Sequence, residues 1–508
     1  MDAVTSRSAG ATGAATESRD GGRRGPGRLG RAAAALGLVL LAGCSSVPGG
    51  DTLMEAATTP PATSVGLAPP SQDPEHARIL LTYGGIYDDP NAARSVARAV
   101  GRLVAASDDP SQSYRITILN SPVVNAFALP SGNLYVTRGL LALANDTSEV
   151  AAVVAHEMAH VTARHAVARI RRAEAAQDMS RAVGPMLQDA ETQRMAMVST
   201  QHSLARFSQV QELEADAIGV RTLAKAGFDP FAASRFLASM ARYAEYRSLR
   251  PSANNSQAKP DFLSSHPSTP ERIAFAVRAA REIGAPGIGE QEREQFLQGL
   301  DGMVFGDDPS EGFVRGRSFL HKALGIQFAV PTGFVLENTS KAVLATNASG
   351  TALRFDGIAV PLSTDLGDYV KSGWINGLLP ESVQGAQVGP YPAATAMATA
   401  DGWTFRIAVL RKDKTTYRFI LATQEPSAET DRIFKETVDS FRELSPAESA
   451  RLRPLRLKLQ KARPGDTPER LAESMSGVER KLDLFRVLNG LEAGDGVEPG
   501  RLVKLVAD

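Results

Sequence analysis

A single cysteine, Cys44, in 508 residues excludes an intramolecular disulfide. A charge excess is missing as well. The 56 Lys plus Arg balance 56 Asp plus Glu, and without the basic surplus that phosphate contacts require, no nucleic-acid partner is expected. No stretch approaches the roughly 18 consecutive apolar residues of a membrane-spanning helix. Histidine is scarce, seven residues in all, yet His156 and His160 stand four apart with Glu157 between them. The length exceeds what one core usually supports, so about three domains are expected.

The position of the cysteine explains it. Arg23, Arg24, Arg28 and Arg31 precede a short apolar run over residues 32–42, too short to span a membrane, which reads as the front of an export signal. The run ends Leu41-Ala42-Gly43-Cys44, which resembles a bacterial lipobox. That resemblance implies a signal peptide over residues 1–43, lipidation of Cys44, and a membrane partner reached through the lipid. Ser45 then implies the outer membrane, with the body facing the periplasm. An uncleaved anchor or a misplaced start is the other reading. Residues 44–74, rich in Pro, Gly, Ser and Thr, read as a flexible tether.

His156-Glu157-Met158-Ala159-His160 is the H-E-x-x-H pattern. Two histidines four apart on a helix project from one face about a turn apart and reach a single ion, while Glu157 points to the side where a water would be activated. Asp146 with Glu149 three residues later offers a capping box, and Val150, Val153, Val154, Met158 and Val161 recur at helical spacing. A helix with ordinary core histidines is the alternative, but apolar spacing alone would not place a glutamate between them. Upstream, residues 75–106 read as two helices broken near Asp88-Asp89-Pro90. Residues 114–119 alternate as a strand, and residues 125–129, a Pro130-Ser131-Gly132-Asn133 turn and residues 134–137 read as a hairpin leading into the metal helix.

Asn125-Ala126-Phe127-Ala128 with Pro130, Gly132, Tyr135 and Val136, followed by a short connection and H-E-x-x-H, resembles the HtpX- and BepA-type gluzincin zinc metallopeptidases. That family also includes the CAAX prenyl endopeptidases. The likeness covers about residues 75–280. It implies a mainly helical zincin-type domain with a small β-sheet, one Zn2+ per chain, and a zinc metalloendopeptidase in which Glu157 is the catalytic base. The implied partners are unfolded or misassembled envelope proteins. In that family the strand before the metal helix is a sheet edge on which extended substrate pairs through its backbone. Asn125, Ala126 and Phe127, or residues 134–137, would play that part, with an ordinary core hairpin as the alternative.

A catalytic zinc takes three protein ligands and keeps one position open. His165, five residues beyond His160, is expected to face well away from it on the same helix. The longer H-E-x-x-H-x-x-G-x-x-H pattern would need glycine at Ala163 and histidine at Ala166, so that class is excluded. Glu212-Leu213-Glu214-Ala215-Asp216 resembles the family's E-x-x-A-D motif. Glu212 and Asp216 share a helix face, with Glu214 opposite. Glu212 is therefore expected as the third metal ligand beside His156 and His160, with Asp216 behind them holding a ligand histidine's far nitrogen. A solvated acidic helix face is the alternative. Where the family has Ser-Arg before this motif, the chain has Ser208-Gln209, which leaves an ion pair near the site open. In Ser265-His266-Pro267-Ser268-Thr269-Pro270-Glu271-Arg272, the resemblance makes His266 either a catalytic oxyanion stabiliser or a reversible plug in the fourth zinc position. Read alone, a histidine before proline in a loop is solvent-exposed.

Residues 166–205 are expected as a helical arm or lid broken at Gly184-Pro185, with Met179, Met186, Met195 and Met197 as client contacts or plain packing. Residues 281–312 read as a linker with a short helix. Strand-like alternation over residues 313–445 suggests a small α/β sandwich with no chemical constellation. Residues 454–508 resemble a LysM βααβ module, which implies peptidoglycan as a partner, a purely structural cap being the alternative. The whole is expected to be α+β. Two functions follow. One is an envelope endopeptidase. The other is a chaperone-like scaffold docked on peptidoglycan with a plugged site, which would have no need of Glu157.

Overall fold

The computed structural model describes residues 73–183, 190–248 and 266–508. The expectations placed on Cys44, the signal and tether, Gly184-Pro185 and the methionines of the arm lie outside the described residues and side chains.

The amino-terminal part is built where residues 75–106 and 114–137 suggested. Helices α1 (Pro74–Tyr83) and α2 (Pro90–Ala106) each start on an aspartate. Asp73 accepts from Glu75 N and Asp89 from Asn91 and Ala92 N, caps worth about 1 kcal/mol each. Strands β1 (Arg115–Leu119), β2 (Ala126–Ala128) and β3 (Asn133–Thr137) form a sheet in the order β1-β3-β2. The hairpin is present as β2 and β3, but β3 also pairs in parallel with β1, so it is the central strand. Residues 134–137 therefore cannot serve as a substrate edge, because their backbone is paired on both sides. Of the two readings, only β2 leaves a side open among the described residues. Asn125 itself is buried: its backbone exchanges hydrogen bonds with Thr137 and its amide donates to the Tyr83 hydroxyl at 2.9 Å.

Helix α3 (Arg138–Leu143) leads into α4 (Thr147–Thr162), which carries H-E-x-x-H. Asp146 caps α4 by accepting from Glu149 N at 2.8 Å, and the Glu149 carboxylate reaches one residue beyond the expected box, to Asn145 N at 2.8 Å. The apolar stripe understates the burial of this helix, since residues 147–160 are buried on every face. α2, α6 (Ala190–Lys225), α7 (Ala232–Ser248) and β2 all pack against it. Gly219 of α6 permits a close approach, for a Cβ there would stand 3.3 Å from the backbone nitrogen of His156.

The stretch 281–312 is more than a connection. Its helix Arg293–Leu300 buries Phe296, Leu297 and Leu300 in the same core as α4. Residues 313–445 form a seven-stranded antiparallel sheet, a four-stranded sheet (Phe313–Arg315, Ser318–His321, Ile326–Ala329 and Arg442–Glu443) and the helix Ala428–Asp439. Ile433, Phe434 and Val438 of that helix pack on Phe328, Phe355 and Phe419. Residues 455–507 follow a β-α-α-β order: Leu455–Lys461, Pro468–Glu473, Lys481–Asn489 and Leu502–Ala507, with the outer strands antiparallel. This unit shares its core with the metal helix, Leu457, Phe485 and Val503 lying in one cluster with Leu143, Val150 and Met240. No helix among the described residues is long and apolar enough to cross a membrane.

A buried charge cluster marks that junction. Lys504 donates from Nζ to the carbonyls of Ala142, Leu143 and Ala144 at 2.8, 3.2 and 2.7 Å, capping α3 just before α4 begins. Burial pulls its pKa well below the usual lysine range. Nearby, burial and then Asp146 push Glu149 up from 4.5 to about 7. The folded chain therefore keeps a proton that the unfolded chain has released, and Glu149's contribution to stability falls as pH rises from about 4.5 to 7. Thermal melts of Glu149→Gln across pH 5 to 8 are expected to show less loss towards high pH than wild type. An identical slope would contradict this.

Candidate metal centre

Four side chains from three elements converge. His156 and His160 come from α4, Glu212 from α6, and His266 from the segment just before the helix Pro270–Ile283. Their donor atoms all lie within 4.8 Å of one another, and all four residues are buried. The Nε2 atoms of His156 and His160 are 3.1 Å apart. Glu212 places Oε2 3.4 Å from His156 Nε2 and Oε1 3.5 Å from His160 Nε2. His266 turns Nδ1 inward, 3.3 Å from His156 Nε2 and 2.9 Å from Glu212 Oε2. It is 7 % exposed, so the reading as a solvent-exposed loop histidine does not hold.

Behind these groups stands a second set. Asp216 Oδ1 lies 3.0 Å from His156 Nδ1, one helical turn from Glu212 on the same face of α6. Arg272 grips Asp216 with two bonds, Nε to Oδ2 at 2.8 Å and Nη2 to Oδ1 at 2.7 Å, and its Nη1 is 3.1 Å from Glu212 Oε2. The ion pair that Gln209 left open is thus made from another element. The motif Ser265 to Arg272 does not by itself give Arg272 a role. Its placement follows from local chemistry: Thr269 caps the helix, Pro270 fits its first turn, and Ser268 Oγ donates to the Leu237 carbonyl at 2.6 Å, pinning the loop to α7.

His165 departs most from expectation. The helix does not run on. α4 ends at Thr162, Arg164 takes a left-handed φ of 54°, and α5 (His165–Val183) starts afresh. His165 is consequently turned back and buried, its Nδ1 2.8 Å from His160 Nδ1. Glu214, on the far side of α6 from Glu212, reaches its Nε2 at 3.3 Å. The missed signal was the break itself, a non-glycine residue at positive φ, which no periodicity announces.

Burial alone would lower His156, but its contacts with Asp216 and Glu212 raise it to about 9. Burial and then the neighbouring His156 and His266 hold His160 far below the usual histidine range. Burial opposes ionisation of Glu212, yet His156 and His266 hold its pKa far below the usual carboxylate range. Glu157 is buried on the same helix, with Oε1 3.5 Å from His266 Nε2. Imidazole nitrogens and a carboxylate, buried, close together and braced from behind, match the donor chemistry of a zinc site.

A family model described as peptidase family M48 matches residues 90–280. This stretch is an M48 peptidase domain. Every residue of the centre lies inside the M48 span. The chain is 29 % identical over 263 residues to the beta-barrel assembly-enhancing protease of Escherichia coli K12, covering 49 % of this chain and 50 % of that one. To the mitochondrial metalloendopeptidase OMA1 of Schizosaccharomyces pombe it is 31 % identical over 179 residues, 35 % of this chain and 50 % of that one. A putative beta-barrel assembly-enhancing protease of Vibrio cholerae matches at 29 % over 217 residues, 41 % and 43 % of the two chains. The chain spans about half the length of these relatives, or less.

Proposed function

We propose that this chain is a zinc-dependent endopeptidase of the cell envelope that hydrolyses peptide bonds in misfolded or misassembled proteins. The observation that carries the reading is the convergence of His156, His160 and Glu212 beside Glu157 inside an M48 domain. A zinc ion held by those three residues supplies a Lewis acid that acidifies water and polarises a carbonyl. Glu157 takes the proton of the attacking water and later delivers it to the leaving amine. Asp216 fixes the ring of His156, and Arg272 fixes Asp216 and Glu212. Extended substrate is proposed to pair with the open side of β2 near Ala126 and Phe127, placing its backbone alongside α4.

His266 is proposed as a fourth donor that must move aside for substrate and water to enter, a reading supported by its inward Nδ1. That same observation favours the second reading, a scaffold whose site stays plugged. Client identity is carried only by the names of some relatives, the beta-barrel assembly-enhancing proteases. Lipidation at Cys44 and an outer-membrane location rest on the sequence alone. For the β-α-α-β unit, the βααβ order supports glycan contact, whereas the core it shares with α4 supports a brace.

The test is digestion of an unfolded polypeptide by the purified chain with phenanthroline present and then with zinc restored. Chelation should stop hydrolysis, zinc should restore it, and His266→Ala should digest faster. Hydrolysis that persists in chelator would remove the reading, and none under any condition would leave the scaffold.

A further inference from the structure

His165 is buried beside the metal centre yet has no part in the proposed reaction. His165 touches His160 on the nitrogen that faces away from the donor group, Nδ1 to Nδ1 at 2.8 Å, while His160 Nε2 faces Glu212 and His156. On its other side His165 Nε2 lies 3.3 Å from Glu214 Oε2. Two ring nitrogens at that separation form a hydrogen bond only if one carries the proton and the other offers its lone pair. If His160 gives its Nε2 lone pair to a cation, its proton must sit on Nδ1 and be donated to His165. The proton of His165 then sits on Nε2 and is donated to Glu214, and one assignment satisfies every contact.

We propose that His165, itself oriented by Glu214, is the positioning residue of His160, fixing its ring and tautomer as Asp216 does for His156. The two ligand histidines are then held by different devices, a carboxylate directly for one and a histidine-carboxylate pair for the other. The break at Arg164 is what makes this work, because a continuing helix would carry position 165 round to another face. Gln211 Nε2 donates to the His165 carbonyl at 3.1 Å, which ties the start of α5 to the same helix that supplies Glu212 and Glu214.

This rests on the metal-ligand reading, and the experiment separates the two. Zinc affinity is measured by competition with a chromophoric chelator for wild type, His160→Ala, His165→Leu and His165→Asn, with folding checked by circular dichroism. His165→Leu is expected to bind roughly ten- to a hundred-fold more weakly, and His165→Asn, whose amide oxygen falls near the place of Nδ1, within about three-fold of wild type. Wild-type affinity in His165→Leu, or equal loss in His165→Asn, would overturn the proposal while His160→Ala still loses the metal. Equal binding by wild type and His160→Ala would overturn the metal centre and this proposal together. Should His165→Leu not fold, Glu214→Ala changes a half-exposed side chain. A few-fold weakening there supports the outer link, and unchanged affinity overturns it.

Discussion

Replacing Glu157 with glutamine is expected to lower peptide hydrolysis roughly a thousand-fold while leaving zinc binding within a factor of about two. The side chain keeps its size and its place on α4, so the buried helix should not shift, and none of the four donor residues is touched. What disappears is the proton acceptor, since an amide oxygen is far too weak a base to activate water. Turnover of an unfolded polypeptide, with zinc content measured on the same samples, checks both halves. Equal turnover by wild type and variant would show that Glu157 is not the base. Equal loss of zinc would show that the residue acts through metal retention instead.

Arg272→Met should have the largest effect on stability. Arg272 is 5 % exposed and forms two bonds to Asp216 and a close contact to Glu212, both of them buried carboxylates. Methionine fills similar volume but leaves Asp216 with His156, and Glu212 with His266 and His156, as their remaining partners. Removing one member of such a buried network costs about 3 to 5 kcal/mol. The loss should be largest in metal-free protein and smaller with zinc bound, because a cation beside Glu212 offsets part of the missing charge. Urea unfolding with and without zinc measures this, and an exposed-surface cost below about 1 kcal/mol would contradict it.

The legible part of the site was the part written in local spacing. His156, Glu157 and His160 lie within one turn of helix, and Glu212 and Asp216 share a face by the same arithmetic. Asp146 announced its helix by capping chemistry, Asp88-Asp89-Pro90 marked the break between the first two helices, and the hairpin of β2 and β3 was marked by its turn. What escaped depended on events without period. The left-handed residue at Arg164 returned His165 to the site, and Arg272 reached the acidic pair from the first turn of a helix more than fifty residues downstream. Parallel pairing of β1 with β3 is likewise a long-range choice that alternation cannot register, and it decided which strand is the edge. The β-α-α-β unit was visible as a pattern, but its docking onto α3 through Lys504 was not. A lysine in a strand reads as solvated until its three carbonyl partners are known.

The central claim is that His156, His160 and Glu212 chelate one zinc ion. Anomalous diffraction at the zinc edge, on crystals of the full chain grown with zinc, tests it most directly. The account predicts a single strong peak about 2.0 to 2.2 Å from an imidazole nitrogen of each histidine and from an oxygen of Glu212. No peak among these three side chains, or a peak from which the Glu212 carboxylate is turned away, would contradict it.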